Sequence, residues 1–148
     1  MGLEKLWDAA TGDGPISEMS GDACIAALGT GTLGRIAIAL AGEAEIFPVN
    51  YVFDHGAIYF RTAPGSKLLG LSANPQVSFE IDGFDESTAF SVVVKGTAER
   101  VELQSEIDAA DRLNLVPWAP TLKYRWVRIL PHSISGRVFH RGPEPERY

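Results

Sequence analysis

The sequence predicts a mainly β domain, a largely antiparallel barrel with short helices inserted, and three observations carry this expectation. Short β-rich runs separated by turn residues follow one another from Thr32 onward. Tight turns such as Ala41-Gly42-Glu43 and Asp54-His55-Gly56 join them, as antiparallel neighbours require. Helical periodicity is confined to a few short stretches, so the strand–helix alternation of a doubly wound sheet is missing.

The elements follow in order. Residues 1–14 mix Gly, Asp and Thr without a period and read as an N-terminal arm. Ser20 has the chemistry of a helix N-cap, Ala23, Ala26, Ala27 and Leu28 form the apolar stripe of a short helix, and Gly29 and Gly31 end it. "TLGRIAIAL" and "AEIFPVNYVF" flank the first turn and predict a hairpin, and "AIYFRT" closes a second one. After Gly65, "SKLLGLSANP" reads as one or two helical turns that stop at Asn74-Pro75. "QVSFEID" and "FSVVVKGTAERVE" are strands, with Val92 and Val94 alternating against Ser91, Val93 and Lys95. Leu103, Ile107 and Ala110 recur at helical spacing and predict an amphipathic helix with a solvated acidic side. "LKYRWVRIL" and "SISGRVF", parted by Pro131, read as two further strands.

With 148 residues, 45% hydrophobic and 22% charged, the chain suits one globular domain spanning 1–148. A net charge of −6 opposes unspecific attraction to polyanions, so no nucleic-acid partner is expected. The longest apolar run, Ile36 to Ala41, falls far short of the roughly 20 residues that span a bilayer. Neither a membrane span nor a signal peptide is expected. A single cysteine, Cys24, excludes an intrachain disulfide and a multi-cysteine metal site, fits a reducing cytoplasm, and lies in an apolar stretch as a small core residue.

The chemistry concentrates at "FRTAPGSKL", residues 60–68. Arg61 and Thr62 end a predicted strand, and Ser66 and Lys67 open a predicted helix whose unpaired N–H groups point back toward them. A lysine in a first helical turn opposes the helix dipole, and a bound anion removes that conflict. The four side chains together fit a phosphate; the alternative is a Ser cap beside two solvated cations. In the strand before, Pro48 cannot donate to a ladder, which marks an edge, a bulge or a strand opened for something to lie against. Asn50 offers a donor and an acceptor among apolar neighbours, so Val49 to Tyr51 could receive a planar heterocycle; otherwise Asn50 faces water.

The stretches "LGRIAIA", "PVNYVFDHGAIYFRTAPGSKLLGLSANPQVSFEID", "SVVVKGTAERVE" and "YRWVRILPHSISGRV" resemble, in order, the pyridoxamine 5'-phosphate oxidase-like proteins, the flavin-binding split-barrel family. The most specific part is "YFRTAPGSK" followed by "NPQVSFEID". The resemblance implies a six-stranded antiparallel split β-barrel with short flanking helices, a homodimer, and FMN at the subunit interface. It implies that Arg61, Thr62, Ser66 and Lys67 hold the FMN phosphate and that Pro48, Val49 and Asn50 line the isoalloxazine. Ser91 is a further cofactor contact, and Trp118 and Arg137 reach the flavin from the partner chain; for Trp118 alone, packing in the core or interface is the other role.

The expected activity is a flavin-dependent oxidoreductase that moves a hydride to or from a small planar substrate. Because the cofactor supplies the redox chemistry, no catalytic triad is needed. "RVFHRGPEPERY" departs from the vitamin B6 oxidase, so oxidation of pyridoxamine phosphate is not expected. One alternative is the deazaflavin F420, whose anionic tail would use the cations Lys123, Arg125, Arg128, Arg137, Arg141 and Arg147. Another is a non-catalytic flavin or haem carrier, with His55, His132 or His140 as the axial ligand, and a third is a scaffold whose cofactor site has decayed.

Overall fold

The computed structural model describes residues 10–11, 14–63, 71, 74–119 and 125–147. Among the described residues nine strands join one antiparallel sheet: β1 (Ala10–Thr11), β2 (Ile16–Met19), β3 (Leu33–Leu40), β4 (Glu43–Asn50), β5 (Val52–Asp54), β6 (Ala57–Thr62), β7 (Gln76–Phe84), β8 (Thr88–Arg100) and β9 (Arg125–His140). Among the described residues two helices accompany them, α1 (Gly21–Thr30) and α2 (Gln104–Asp111). The strand order is β1-β2-β9-β8-β7-β3-β4, with β6 pairing both β5 and β9.

This is the expected mainly β, antiparallel split barrel, with more strands than six. The six strands β3, β4 and β6–β9 are the long ones, and β1, β2 and β5 are short additions of 2, 4 and 3 residues. Within residues 1–14, β1 pairs Ala10 with Met19 and Thr11 with Glu18. One correction concerns β9. Its two expected strands are one strand of 16 residues running through Pro131. Lys95 pairs with Ser133 and Gly96 with Pro131, so His132 is an extra residue on β9 and the register shifts there. A bulge removes the need for a ladder donor at Pro131, which is how a proline lies inside the strand.

Local chemistry sets the rest. The Ser20 side chain accepts from the Ala23 N–H at 3.1 Å and starts α1, and the Gly31 N–H bonds the Ala27 carbonyl to end it. Ala41 and Gly42, with φ of 50° and 79°, form a two-residue turn between β3 and β4; His55 and Gly56, at 48° and 80°, do the same between β5 and β6. α2 forms where expected, but Leu103 stands 64% exposed at its N-terminus and only Ala110 of the stripe is fully buried. The helical turns expected at 66–73 lie outside the described residues, apart from the buried Leu71.

Ile36, Phe60, Phe79, Val92, Val94, Val127, Ile129 and Val138 fill the barrel, and α1 closes one side with Cys24, Ala27 and Leu28. Cys24 is free and 1% exposed, the core residue its surroundings predict. A second, smaller cluster of Val101, Ala110 and Trp126 seats α2 against β9, with Tyr59, Ile107 and Leu115 packed around it. It supports one wall of the cleft described next.

Candidate functional site

β4 and β6 end side by side, and the chain that follows α2 crosses in front of them. Between these three pieces lies a cleft of about 350 Å³, lined by Pro48, Val49 and Asn50 from β4, Arg61, Thr62 and Ala63 at the end of β6, and Leu115, Pro117, Trp118 and Ala119 in front. β4 ends the main strand order, so Pro48 occupies the edge position its missing donor requires.

Six of the sequence-predicted residues, Pro48, Val49, Asn50, Arg61, Thr62 and Trp118, thus line one cleft. Trp118 is neither core nor distant: it is 66% exposed and belongs to the same chain's cleft wall. Ser66 and Lys67 lie outside the described residues. Ser91 and Arg137 are brought together by β8–β9 pairing, but in a different recess of about 500 Å³ with Glu18, Met19 and Phe139. The two hollows share no lining residue.

The polar groups of the cleft differ in how far the chain satisfies them. Asn50 donates through Nδ2 to the Thr32 carbonyl at 3.2 Å and accepts through Oδ1 from the Trp118 N–H at 2.8 Å. It therefore ties the cleft's front wall to the start of β3. Thr62 is buried at 4% exposure. Arg61 donates through Nη2 to the Leu115 carbonyl at 3.2 Å, while its Nε is buried without a hydrogen-bond partner. An unpaired donor of a charged group shut away from water costs on the order of 1–3 kcal/mol or more. A guanidinium left in that condition on a residue lining a mostly apolar cleft fits an anionic ligand, whose oxygen would give the donor its acceptor.

Sequence reasoning missed the front wall apart from Trp118. The signal was present in "VPW", where a proline directly before a tryptophan fixes the backbone beside a large aromatic. It also missed Trp126 and Asp111, which stand behind Arg61. The histidines lie elsewhere: none of His55, His132 and His140 lines the cleft, and no group of three metal-ligating side chains exists among the described residues. Several of the cations named for an anionic tail are already engaged, Arg128 with Glu99 and Glu106 and Arg147 with Glu144.

The same fold occurs in a solved structure from Corynebacterium glutamicum, a candidate pyridoxamine 5'-phosphate oxidase that is 45% identical, with a TM-score of 0.81 over 90% of this chain and 100% of that one. An FAD binding protein from Mycobacterium smegmatis is 35% identical, with a TM-score of 0.74 over 84% of this chain and 98% of that one. An uncharacterised protein of Mycobacterium tuberculosis is 41% identical over 90 residues, 61% of this chain and 82% of its own length. The family profile of pyridoxamine 5'-phosphate oxidase matches residues 20–138, a span that contains both ends of the cleft and nearly the whole barrel, and the chain belongs to that family.

Proposed function

We propose that the cleft binds a flavin, FMN being the form expected, and that the protein is an oxidoreductase passing a hydride to or from a small planar substrate. The observation that carries this reading is that Arg61, whose Nε is buried without a partner, lines a mostly apolar cleft together with Thr62 and Asn50. The family and the 35% identical FAD binding protein support a flavin. FAD contains the same isoalloxazine and ribityl phosphate, so the residues assigned here serve either form.

When bound, the flavin supplies the hydride chemistry. The chain's own part is to bind, orient and exclude water. Arg61 and Thr62, joined by Ser66 and Lys67, hold the phosphate. Pro48 and Val49 offer an apolar surface on an edge strand, Trp118 faces them from the front wall, and Asn50 keeps that wall in place. Ser91 and Arg137 line a recess that shares no residue with this cleft. Their role at the cofactor therefore requires a second copy of the chain, and the homodimer is part of the proposal.

Native protein is to be purified and denatured, and the released small molecule identified by mass spectrometry. FMN or FAD supports the reading, whereas F420 or haem replaces it with one of the alternatives. For Arg61→Ala the expected result is flavin affinity about 10- to 100-fold lower, as for loss of a charge-assisted hydrogen bond of about 1.5–3 kcal/mol. Unchanged affinity overturns the phosphate assignment. Light scattering in solution checks the dimer.

A further inference from the structure

Arg61 is not held by its ligand side alone. Across the β6–β9 ladder its Cα partner is Trp126, and the guanidinium carbon sits 5.3 Å from the centroid of the Trp126 ring. That ring is 3% exposed, and it is fixed from several directions. The indole N–H donates to Asp111 Oδ1 at 2.7 Å, Tyr59 meets the ring edge-on at 6.5 Å, and Val101 and Ala110 pack beside it. Asp111 is the last residue of α2, and the chain leaving that helix reaches Leu115, whose carbonyl accepts from Arg61. The tryptophan and its carboxylate therefore anchor both the guanidinium and the wall that it bonds.

A cation over an aromatic face is attracted by the ring's negative face, most strongly for tryptophan and in surroundings shut off from water. A carboxylate accepting the indole N–H polarises the ring further in the same sense, because hydrogen bonds in series strengthen one another. This arrangement orients the guanidinium without using up a donor. It leaves Nε unpaired for a ligand, where a protein carboxylate at the same place would have neutralised the group.

We propose that Trp126, held by Asp111, is a positioning residue that fixes the Arg61 guanidinium and so sets the cleft's preference for a phosphorylated over an unphosphorylated flavin. The inference rests on the reading of Arg61 as a phosphate ligand. Affinities for FMN and for riboflavin are to be measured by quenching of flavin fluorescence, and the ratio of the two is the readout. Wild type should prefer FMN, and Arg61→Ala should remove most of that preference. In Trp126→Leu the preference is expected to fall about five- to tenfold with riboflavin affinity little changed. Trp126→Phe, which keeps a ring face, should retain the preference to within about threefold. If Trp126→Leu does not fold, Asp111→Ala takes its place, with an expected fall of about threefold. An equal loss of FMN and riboflavin affinity, or an unchanged ratio, overturns the positioning role. Failure of wild type to bind FMN, or an Arg61→Ala ratio equal to that of wild type, overturns the cofactor assignment instead.

Discussion

Asn50 shows how one side chain serves the cleft by holding its wall in place. Its two hydrogen bonds hold the Trp118 backbone and the Thr32 carbonyl, so one donor and one acceptor site of the amide that makes it look like a heterocycle ligand in the sequence are engaged inside the chain. The next residue, Tyr51, does comparable work in the core. At 2% exposure it donates to the Leu28 carbonyl at 2.8 Å, in the last turn of α1 where carbonyls lack intrahelical partners. Burial pushes its hydroxyl well above the usual tyrosine range, and Gly31 lies so close to that hydroxyl that any side chain there would collide with it. Two outcomes follow at this scale. Asn50→Ala should weaken flavin binding about three- to tenfold by freeing the Trp118 wall, measured by the same fluorescence titration. Tyr51→Phe should cost about 1 kcal/mol in urea unfolding, because a buried carbonyl loses its donor, while flavin affinity stays near that of wild type. A reversal of the two, with affinity lost in Tyr51→Phe and kept in Asn50→Ala, would contradict both assignments.

Among the elements, the hairpins were the most legible, because each rests on local turn chemistry. Ala41-Gly42 and His55-Gly56 place two consecutive residues at positive φ, the geometry that two-residue antiparallel turns need. Ala41 is the weak member. A non-glycine residue in that conformation is strained, and asparagine tolerates it better. Ala41→Asn should therefore stabilise the protein by about 0.5–1 kcal/mol, read as a higher urea midpoint with an unchanged slope. A lower midpoint would show that the β3–β4 turn is not held in this form. The join at Pro131 was not legible, since a proline inside a strand candidate normally argues for a break. What reverses it is non-local: the extra residue His132 bulges out of β9 between the partners of Lys95 and Gly96, and that bulge depends on a partner strand 35 residues away in sequence, as Gly96 is from Pro131. The same reason explains the site. Arg61, Thr62, Pro48 and Asn50 stood out because phosphate and edge-strand chemistry is local, whereas Trp126 and Asp111 gain their role only when β9 lies against β6.

At the scale of the whole molecule, the outer face of the sheet carries an arrangement of charge that makes stability depend on pH. Arg35 on β3 bonds Glu80 at 3.0 Å and Asp82 at 2.9 Å, both on neighbouring β7. The two carboxylates lie one above the other on the same side of that strand, and one guanidinium serves both. Partial burial pushes the Glu80 carboxyl up to about 7, helped by its hydrogen bond to Asp82 and by the Asp82 charge, with Arg35 pulling the other way. An acid whose affinity for protons is raised by folding binds more protons in the folded than in the unfolded state between the ordinary value of 4.5 and about 7. Across that window stability falls as pH rises, and it levels off above it. Glu80→Gln keeps the volume and the hydrogen-bonding capacity but cannot ionise, so the difference in unfolding free energy between the variant and wild type should grow from about pH 4.5 to about pH 7 in favour of the variant. Because the Glu80 side chain is about a third exposed, the change should be modest and smaller in high salt. Urea unfolding of the two proteins in parallel at several pH values removes the contribution of carboxylates that do not interact with Glu80. Parallel profiles would mean that Arg35 neutralises Glu80 fully, and a difference growing toward acid would mean that the pairing with Arg35 outweighs the burial.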